Sequence, residues 1–450
     1  MKNSLIVILA VLAVYLTSQL WFENFSGRNF FYRFLNAYVT APALSGENSF
    51  GQPYRLIIGL GGNSFIVRYN NLSAQPVKRD CDEIISDVLK QGEFIAMRET
   101  SDSDARYDEI FNSRCYLYDY YFDMPMIHFA AAFSQKNSAL VSRISTFNCV
   151  ALIPVPQPDG SYPGEKTIVC FLDEMRGVIY EYESKKNLAP PSGEAPPLVY
   201  ESSRLSGYSF MSSHAFIAKF SQGVYSYPAI QVINPYAGTE LLMGAIEKNV
   251  DSFFVNPAAK VSFVGENNVY TFIDENTVVK YYKNDVLDYA NYKTVSVNAT
   301  FLQNYEAAVR FIRNDPLVTN EYYLAGYESE EEKKITFYFD YAINDLPLLL
   351  PDGYRSSAEA PIGHAIEITV DEENVARYRK LVYTYLQDSY AKTAASDFNA
   401  ALRFVAEPDG ASASPLSGVV LGYKMDRSKQ AFLYWVLWLQ GGGSFSQNAQ

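Results

Sequence analysis

The sequence predicts an α+β fold: an N-terminal transmembrane helix followed by antiparallel sheets covered by helices, with a repeated helix-plus-meander unit in the C-terminal half. Three observations predict it. Leu5–Phe22 is apolar and uncharged, whereas most of the later chain sets β-branched and aromatic runs between turns rich in Gly, Asn and Asp. Two stretches of helical periodicity, 298–313 and 394–404, each precede a run of strands, and a helix laid over one face of a meander buries the apolar side of both.

The first element, LIVILAVLAVYLTSQLWF, is eighteen residues long. As a helix it would span roughly 27 Å, close to the hydrocarbon thickness of a bilayer. Lys2 precedes it with no acidic residue between, so the positive-inside rule keeps that end cytoplasmic and puts the chain after Trp21 outside. Trp21 and Phe22 suit the outer interface as anchors. The segment after the apolar core, Thr17 to Glu23, is bulky where a signal peptidase needs small residues, so the expectation is an uncleaved signal anchor over 1–23. Residues 24–49 read as a connector.

The run RLIIGLGGNSFIVRY at 55–69 poses a choice between a phosphate-binding loop and a turn. A phosphate loop requires a helix after its glycines. Here Ser64–Tyr69 is β-branched and aromatic, which predicts a hairpin of Arg55–Leu60 with Ser64–Tyr69. A helix follows at Asp80–Gln91, then a strand at Cys115–Asp123, a short helix at Met126–Phe133 and strands at Val150–Val155 and Thr167–Leu172. These form a first domain over 50–184. The proline-rich stretch 185–198 reads as a linker. A second domain over 199–292 holds a strand at Ala229–Ile233, a helix at Thr239–Ile246 and three short strands across Val269–Tyr289. The third, 293–440, has a helix at Asn298–Arg313 with strands at Tyr322–Tyr327, Lys334–Ile343 and His364–Val370. It then has a helix at Ala394–Phe404 with strands at Gly418–Lys424 and Ala431–Leu439. Residues 441–450 read as a flexible tail.

Composition excludes some functions. The chain has 450 residues, 48% hydrophobic and 19% charged, with a net charge of -13, which argues against nucleic acid as a partner. Cys81, Cys115, Cys149 and Cys170 form no CxxC pair, so zinc is not expected; they are either two disulfides or buried small hydrophobes. His128, His214 and His364 are isolated and read as packed or hydrogen-bonded side chains. No GxSxG pentapeptide occurs. Asp173-Glu174 and Asp274-Glu275 read as turns, and Glu328–Glu332 as a solvated loop without the ligand pattern of a calcium site. No catalytic residue, cofactor or metal is expected.

The anchor, the segment FFVNPAAKVSFVGENNVYTFIDENTVVKYYKNDVLDY at 253–289, the unit with Phe337-Tyr338-Phe339-Asp340-Tyr341 and His364-Ala365-Ile366-Glu367, and the closing GYKMDRSKQAFLYWVLWL resemble the YycH/YycI (WalH/WalI) family. YycH is the nearer match in length. These are accessory regulators of the YycG/WalK sensor histidine kinase of Gram-positive bacteria. The resemblance implies a non-enzymatic, single-span membrane protein whose helix packs beside those of the kinase, and of a sister accessory protein, while its outer part modulates signalling for cell-wall metabolism. Association in lipid depends on close packing and a few polar side chains. Tyr15, Thr17, Ser18 and Gln19 are the candidates for partner contact, the alternative being that they sit among headgroups. Two rival readings are an anchored protein that binds cell-wall glycan or peptide, and an anchored hydrolase.

Overall fold

Strong period-2 patterning builds most of the chain into two large sheets, antiparallel but for one parallel pairing of Leu348 and Leu349 with Tyr423 and Lys424. The computed structural model describes residues 50–69, 75–99, 101–157, 166–174, 176–191, 198–203, 215–220, 224–236, 242–293, 298–329, 334–350, 352–396, 398, 416–425, 430–439 and 444–448. All belong to one of the two units into which the chain divides, Leu44–Gln450. The predicted anchor, connector and interface residues, with Tyr15, Thr17, Ser18, Gln19, Trp21 and Phe22, lie outside the described residues. Among those described, no helix is long and apolar enough to cross a membrane.

The first sheet contains β1 (Arg55–Gly61), β2 (Ser64–Arg68), β3 (Glu93–Glu99), β4 (Arg114–Pro125), β5 (Thr146–Val155), β6 (Lys166–Asp173), β7 (Val178–Ser184), β8 (Leu198–Ser202) and β9 (Phe216–Phe220), in the order β3-β7-β6-β5-β4-β1-β2-β8-β9. The hairpin expected at 55–69 is there. Ile58 pairs with Ile66, and Gly62 and Asn63 turn at φ of 61° and 59°, the positive values that a two-residue hairpin loop demands. Gly59 has a different reason to be glycine, since a Cβ there would meet the Cys115 sulfur at 2.9 Å. Helices Gln75–Gln91 and Ser101–Asn112 cover this sheet, and Met126–Ala132 follows β4. The helix at 101–112 and the strands β3 and β7 were not predicted. β3, EFIAMRE, mixes charged and apolar residues without a buried face, and β7, VIYEYES, sets Glu among Val, Ile and Tyr; the two pair antiparallel.

All four cysteines are buried and free, so the open alternative resolves to small core hydrophobes. Burial pushes the Cys115 and Cys170 thiols up to about 12, leaving them inert as nucleophiles.

The second sheet joins β10 (Val224–Ile233), β11 (Val261–Val264), β12 (Tyr270–Ile273), β13 (Thr277–Tyr281), β14 (Val286–Asn291), β15 (Tyr322–Ser329), β16 (Lys334–Ile343), β17 (Leu346–Leu349), β18 (Ile366–Asp371), β19 (Asn374–Leu381), β20 (Thr384–Ser396), β21 (Leu416–Met425), β22 (Gln430–Leu439) and β23 (Ser444–Asn448). Its main order runs β11-β12-β13-β14-β19-β18-β16-β17-β21-β22-β10-β20, with β15 on β16 and β23 on β22. Helix Phe301–Asn314 lies over β16, β18 and β19. Thr300 and Gln303 close a capping box at its start, and Tyr305, Ala308, Val309 and Ile312 form its buried stripe. The sheets do not divide at the boundaries drawn from sequence. β8 and β9 extend the first sheet beyond the proline-rich stretch, and β14 pairs with β19 across residue 292.

Two expectations are corrected. The helix placed at 394–404 starts later, since Phe398 is helical but Ala394, Ala395 and Ser396 end β20 opposite Ser226, Tyr225 and Val224; a long partner strand overrides alanine's helical preference there. Residues 397 and 399–404 lie outside the described residues. The tail is not free either, since Ser444–Asn448 pairs with β22 from Trp438 to Tyr434. The class is thus α+β with a strong excess of strand and few helices.

Candidate functional site

The groups with unusual chemistry gather where the two sheets meet. Phe50 is 2% exposed. Its ring contacts Phe122 and His128 from the first sheet's layer and Phe301, Tyr305 and Tyr327 from the second, at centroid distances of 4.8–6.5 Å. His128 stacks on Phe301 at 3.9 Å, and burial lowers its pKa, so it serves as a neutral packing ring. Beside this cluster Tyr54 meets Tyr323 at 4.7 Å and Tyr69 at 5.1 Å. Burial pushes the phenols of Tyr54 and Tyr323 up, keeping them neutral.

Charges are embedded in this aromatic seam. Arg55 opens β1 opposite Asp119 on β4, and its Nε donates to Asp119 Oδ2 at 2.5 Å. Its guanidinium also lies 5.4 Å from the Tyr54 ring and 5.3 Å from that of Phe216. Arg68, at the end of β2, reaches Asp345 in the β16–β17 turn at 2.7 Å, a tie between the sheets. Asn344 and Asp345 both have positive φ there, a conformation their short polar side chains tolerate. Glu321 stands just before β15, and its carboxyl is pushed up to about 7, by burial first and by the Asp345 charge second.

A fold that favours the protonated form is stabilised below the ordinary carboxylate value of 4.5 and loses that contribution as pH rises through about 7. Glu321→Gln is therefore expected to match the parent at pH 4 and to exceed it by roughly 2–3 kcal/mol above pH 8. Chemical denaturation across pH measures this directly, and parallel pH profiles for the two proteins would refute it.

On β16, Asp340 pairs across the ladder with Tyr323, on the face that meets Tyr54 and Tyr69 of the first sheet. Its Oδ1 accepts from the Ala365 N–H and its Oδ2 meets His364 Nδ1, both at 2.9 Å. Burial pulls the imidazole's pKa down, but the hydrogen bond and charge of Asp340 outweigh it and the net shift is upward. Tyr338 stacks over the ring at 4.8 Å. Such a dyad orients a histidine as acid or base, yet among the described residues no hydroxyl or thiol bonds the ring, so a nucleophile is not paired with it.

The carboxylate pairs singled out from sequence are turn devices. Asp173 accepts from the Arg176 N–H, and Asp274 from the N–H groups of Asn276 and Thr277. Glu328 accepts from the Tyr338 hydroxyl, while residues 330–333 and His214 lie outside the described residues. No group of three metal-ligating side chains converges among the described residues. Glu321 and Asp345 were not singled out in the sequence, and Asp340 and His364 entered together only within the runs that carry the resemblance. The one legible signal was Asn344-Asp345, a turn dipeptide between two apolar runs.

No protein-family model and no curated protein matches the chain. Solved structures that resemble it include YycH from Bacillus subtilis, at 10% identity and a TM-score of 0.53, with 89% of this chain and 97% of that one covered. An uncharacterized protein from Eubacterium rectale matches at 12% identity and a TM-score of 0.33, over 50% of this chain and 82% of its own. At these identities the first likeness shows the fold alone, and the second carries no argument. The chain has a YycH-like fold.

Proposed function

We propose that this protein is a membrane-anchored, extracytoplasmic regulator that modulates a two-component sensor histidine kinase of cell-wall metabolism without being an enzyme. The observation that carries the reading is the fold likeness to YycH, which takes in 89% of this chain and 97% of that one. The apolar run Leu5–Phe22 supports a single span with a cytoplasmic amino end. In this reading Tyr15, Thr17, Ser18 and Gln19 meet the spanning helices of the kinase, and a sister accessory protein shares the assembly. Trp21 and Phe22 fix the helix at the outer interface.

Photo-crosslinking groups placed singly at positions 15, 17, 18 and 19 in native membranes are expected to capture the kinase, and deletion of the gene is expected to change phosphorylation of its response regulator. Failure to capture a kinase, together with unchanged phosphorylation, overturns the proposal. Sedimentation of the protein with purified cell wall under the same conditions would favour a wall-binding role instead.

A further inference from the structure

Strand β11 closes one end of the second sheet, and among the described residues it pairs only with β12. All four of its residues are exposed: Val261 is 64%, Phe263 46% and Val264 51% accessible, and Val255 just upstream is fully so. The hairpin joining it to β12 is closed by a hydrogen bond from Gly265 N to Val269 O at 2.8 Å. In an antiparallel ladder, bonded and non-bonded positions alternate. With Gly265 bonded toward Val269, Phe263 and Val261 also bond inward, to Thr271 and Ile273. The N–H and C=O groups of Ser262 and Val264 therefore point outward, along the open edge.

The opposite sheet's terminal strand is built differently. β3 carries an irregularity between Phe94 and Ala96, bears Glu93, Arg98 and Glu99, and has the Arg143 guanidinium 4.5 Å from its Phe94 ring. Bulges and charges of this kind keep an edge from pairing. β11, with the sequence VSFV, has no bulge, charge or proline.

Charge selects the occupant. Glu247, Asp251 and Glu266 flank the strand, and Lys260 is already held by Glu247 at 3.0 Å and Asp251 at 2.6 Å with only 7% of its side chain exposed. Residues 242–285 hold six carboxylates and four lysines, and the whole chain carries -13. A second copy would bring the same surplus of negative charge to the contact. We propose that β11 is a docking edge for an extended segment of another protein, added as an antiparallel strand, whose apolar residues are flanked by lysine or arginine. Main-chain bonds at Ser262 and Val264 supply affinity, and the exposed valines, Phe263 and the acidic flanks supply selectivity.

The test uses the full-length protein in detergent micelles and a blocked, dye-labelled decapeptide alternating valine and lysine. Binding by fluorescence anisotropy is expected, weakened about tenfold or more by Val264→Pro, which removes an outward N–H, and weakened also by Glu266→Lys. Amide exchange should slow at Ser262 and Val264 while Phe263, already bonded to β12, stays unchanged. A peptide alternating valine and glutamate should not bind. Should Val264→Pro fail to fold, Glu266→Lys and the exchange pattern decide the matter. Equal binding of the acidic peptide, or unaltered exchange at both amides, overturns the proposal. So does concentration-dependent protection of this edge without peptide, which would make a second copy the occupant.

Discussion

Replacing Asp315 by alanine is expected to destabilise the folded body by about 3–5 kcal/mol, because it strands a buried ammonium. Asp315 follows the helix Phe301–Asn314, and Lys380 arrives from β19; both side chains are fully buried, with Nζ and Oδ2 2.5 Å apart. Burial pulls the Lys380 pKa down, and Asp315 is the charge that opposes this. The same carboxylate accepts from the Tyr378 hydroxyl at 2.8 Å and the Leu317 N–H at 2.9 Å. Alanine thus removes the counter-charge and two acceptor positions at once. A charge pair so placed need not be a net stabiliser against an apolar pair of similar volume. The double variant Asp315→Leu with Lys380→Met is accordingly expected to recover the part of the loss due to the stranded charge, but not the part due to the Tyr378 hydroxyl and Leu317 N–H left without their acceptor. Urea unfolding monitored by tyrosine and tryptophan fluorescence measures both. A loss below about 1 kcal/mol for the single variant would mean that Lys380 sheds its proton or finds water.

Lys380 also marks where reading the sequence stops working. In ENVARYRKLVYTY the lysine looks like one more solvated cation, and only the arrival of Asp315, 65 positions earlier, makes burial tolerable. By contrast the hairpin at 55–69, the helix with Thr300 and Gln303 at its start, and the three strands across 270–291 were legible because a local rule fixes each one. Turn chemistry, a capping box and period-2 alternation act over a few residues. β19, β20 and the closing strand β23 were missed for the opposite reason. NVARYRKL is polar on one face, TYLQDSYAKTAAS ends in helix-favouring alanines, and SFSQN is too short to carry a pattern, so each becomes a strand through its neighbour. The seam was illegible throughout, since Phe50, His128, Phe301 and Tyr327 have no relation in sequence and meet only when two sheets pack.

That seam leads to the second large effect. Phe50→Ala is expected to cost about 3–5 kcal/mol, the range for deleting a buried phenylalanine ring. Its ring bridges Phe122 and His128 on one side and Phe301, Tyr305 and Tyr327 on the other, so the loss falls on the contact between the sheets more than on either sheet's own core. A comparison separates these. Phe147 is fully buried within the first sheet's core, against Phe129 and Phe171. Phe147→Ala should cost a similar amount, because the same volume is lost, but should lower the first sheet's stability itself. If the seam is what makes the two sheets unfold together, Phe50→Ala should split the calorimetric transition into two, whereas Phe147→Ala, with the seam intact, should keep one transition and lower its midpoint. The ion pair between Arg68 and Asp345, 2.7 Å long and part-exposed, is too weak to hold them together alone. A single, sharp transition for Phe50→Ala, shifted only in midpoint, would place the coupling in the backbone connection instead.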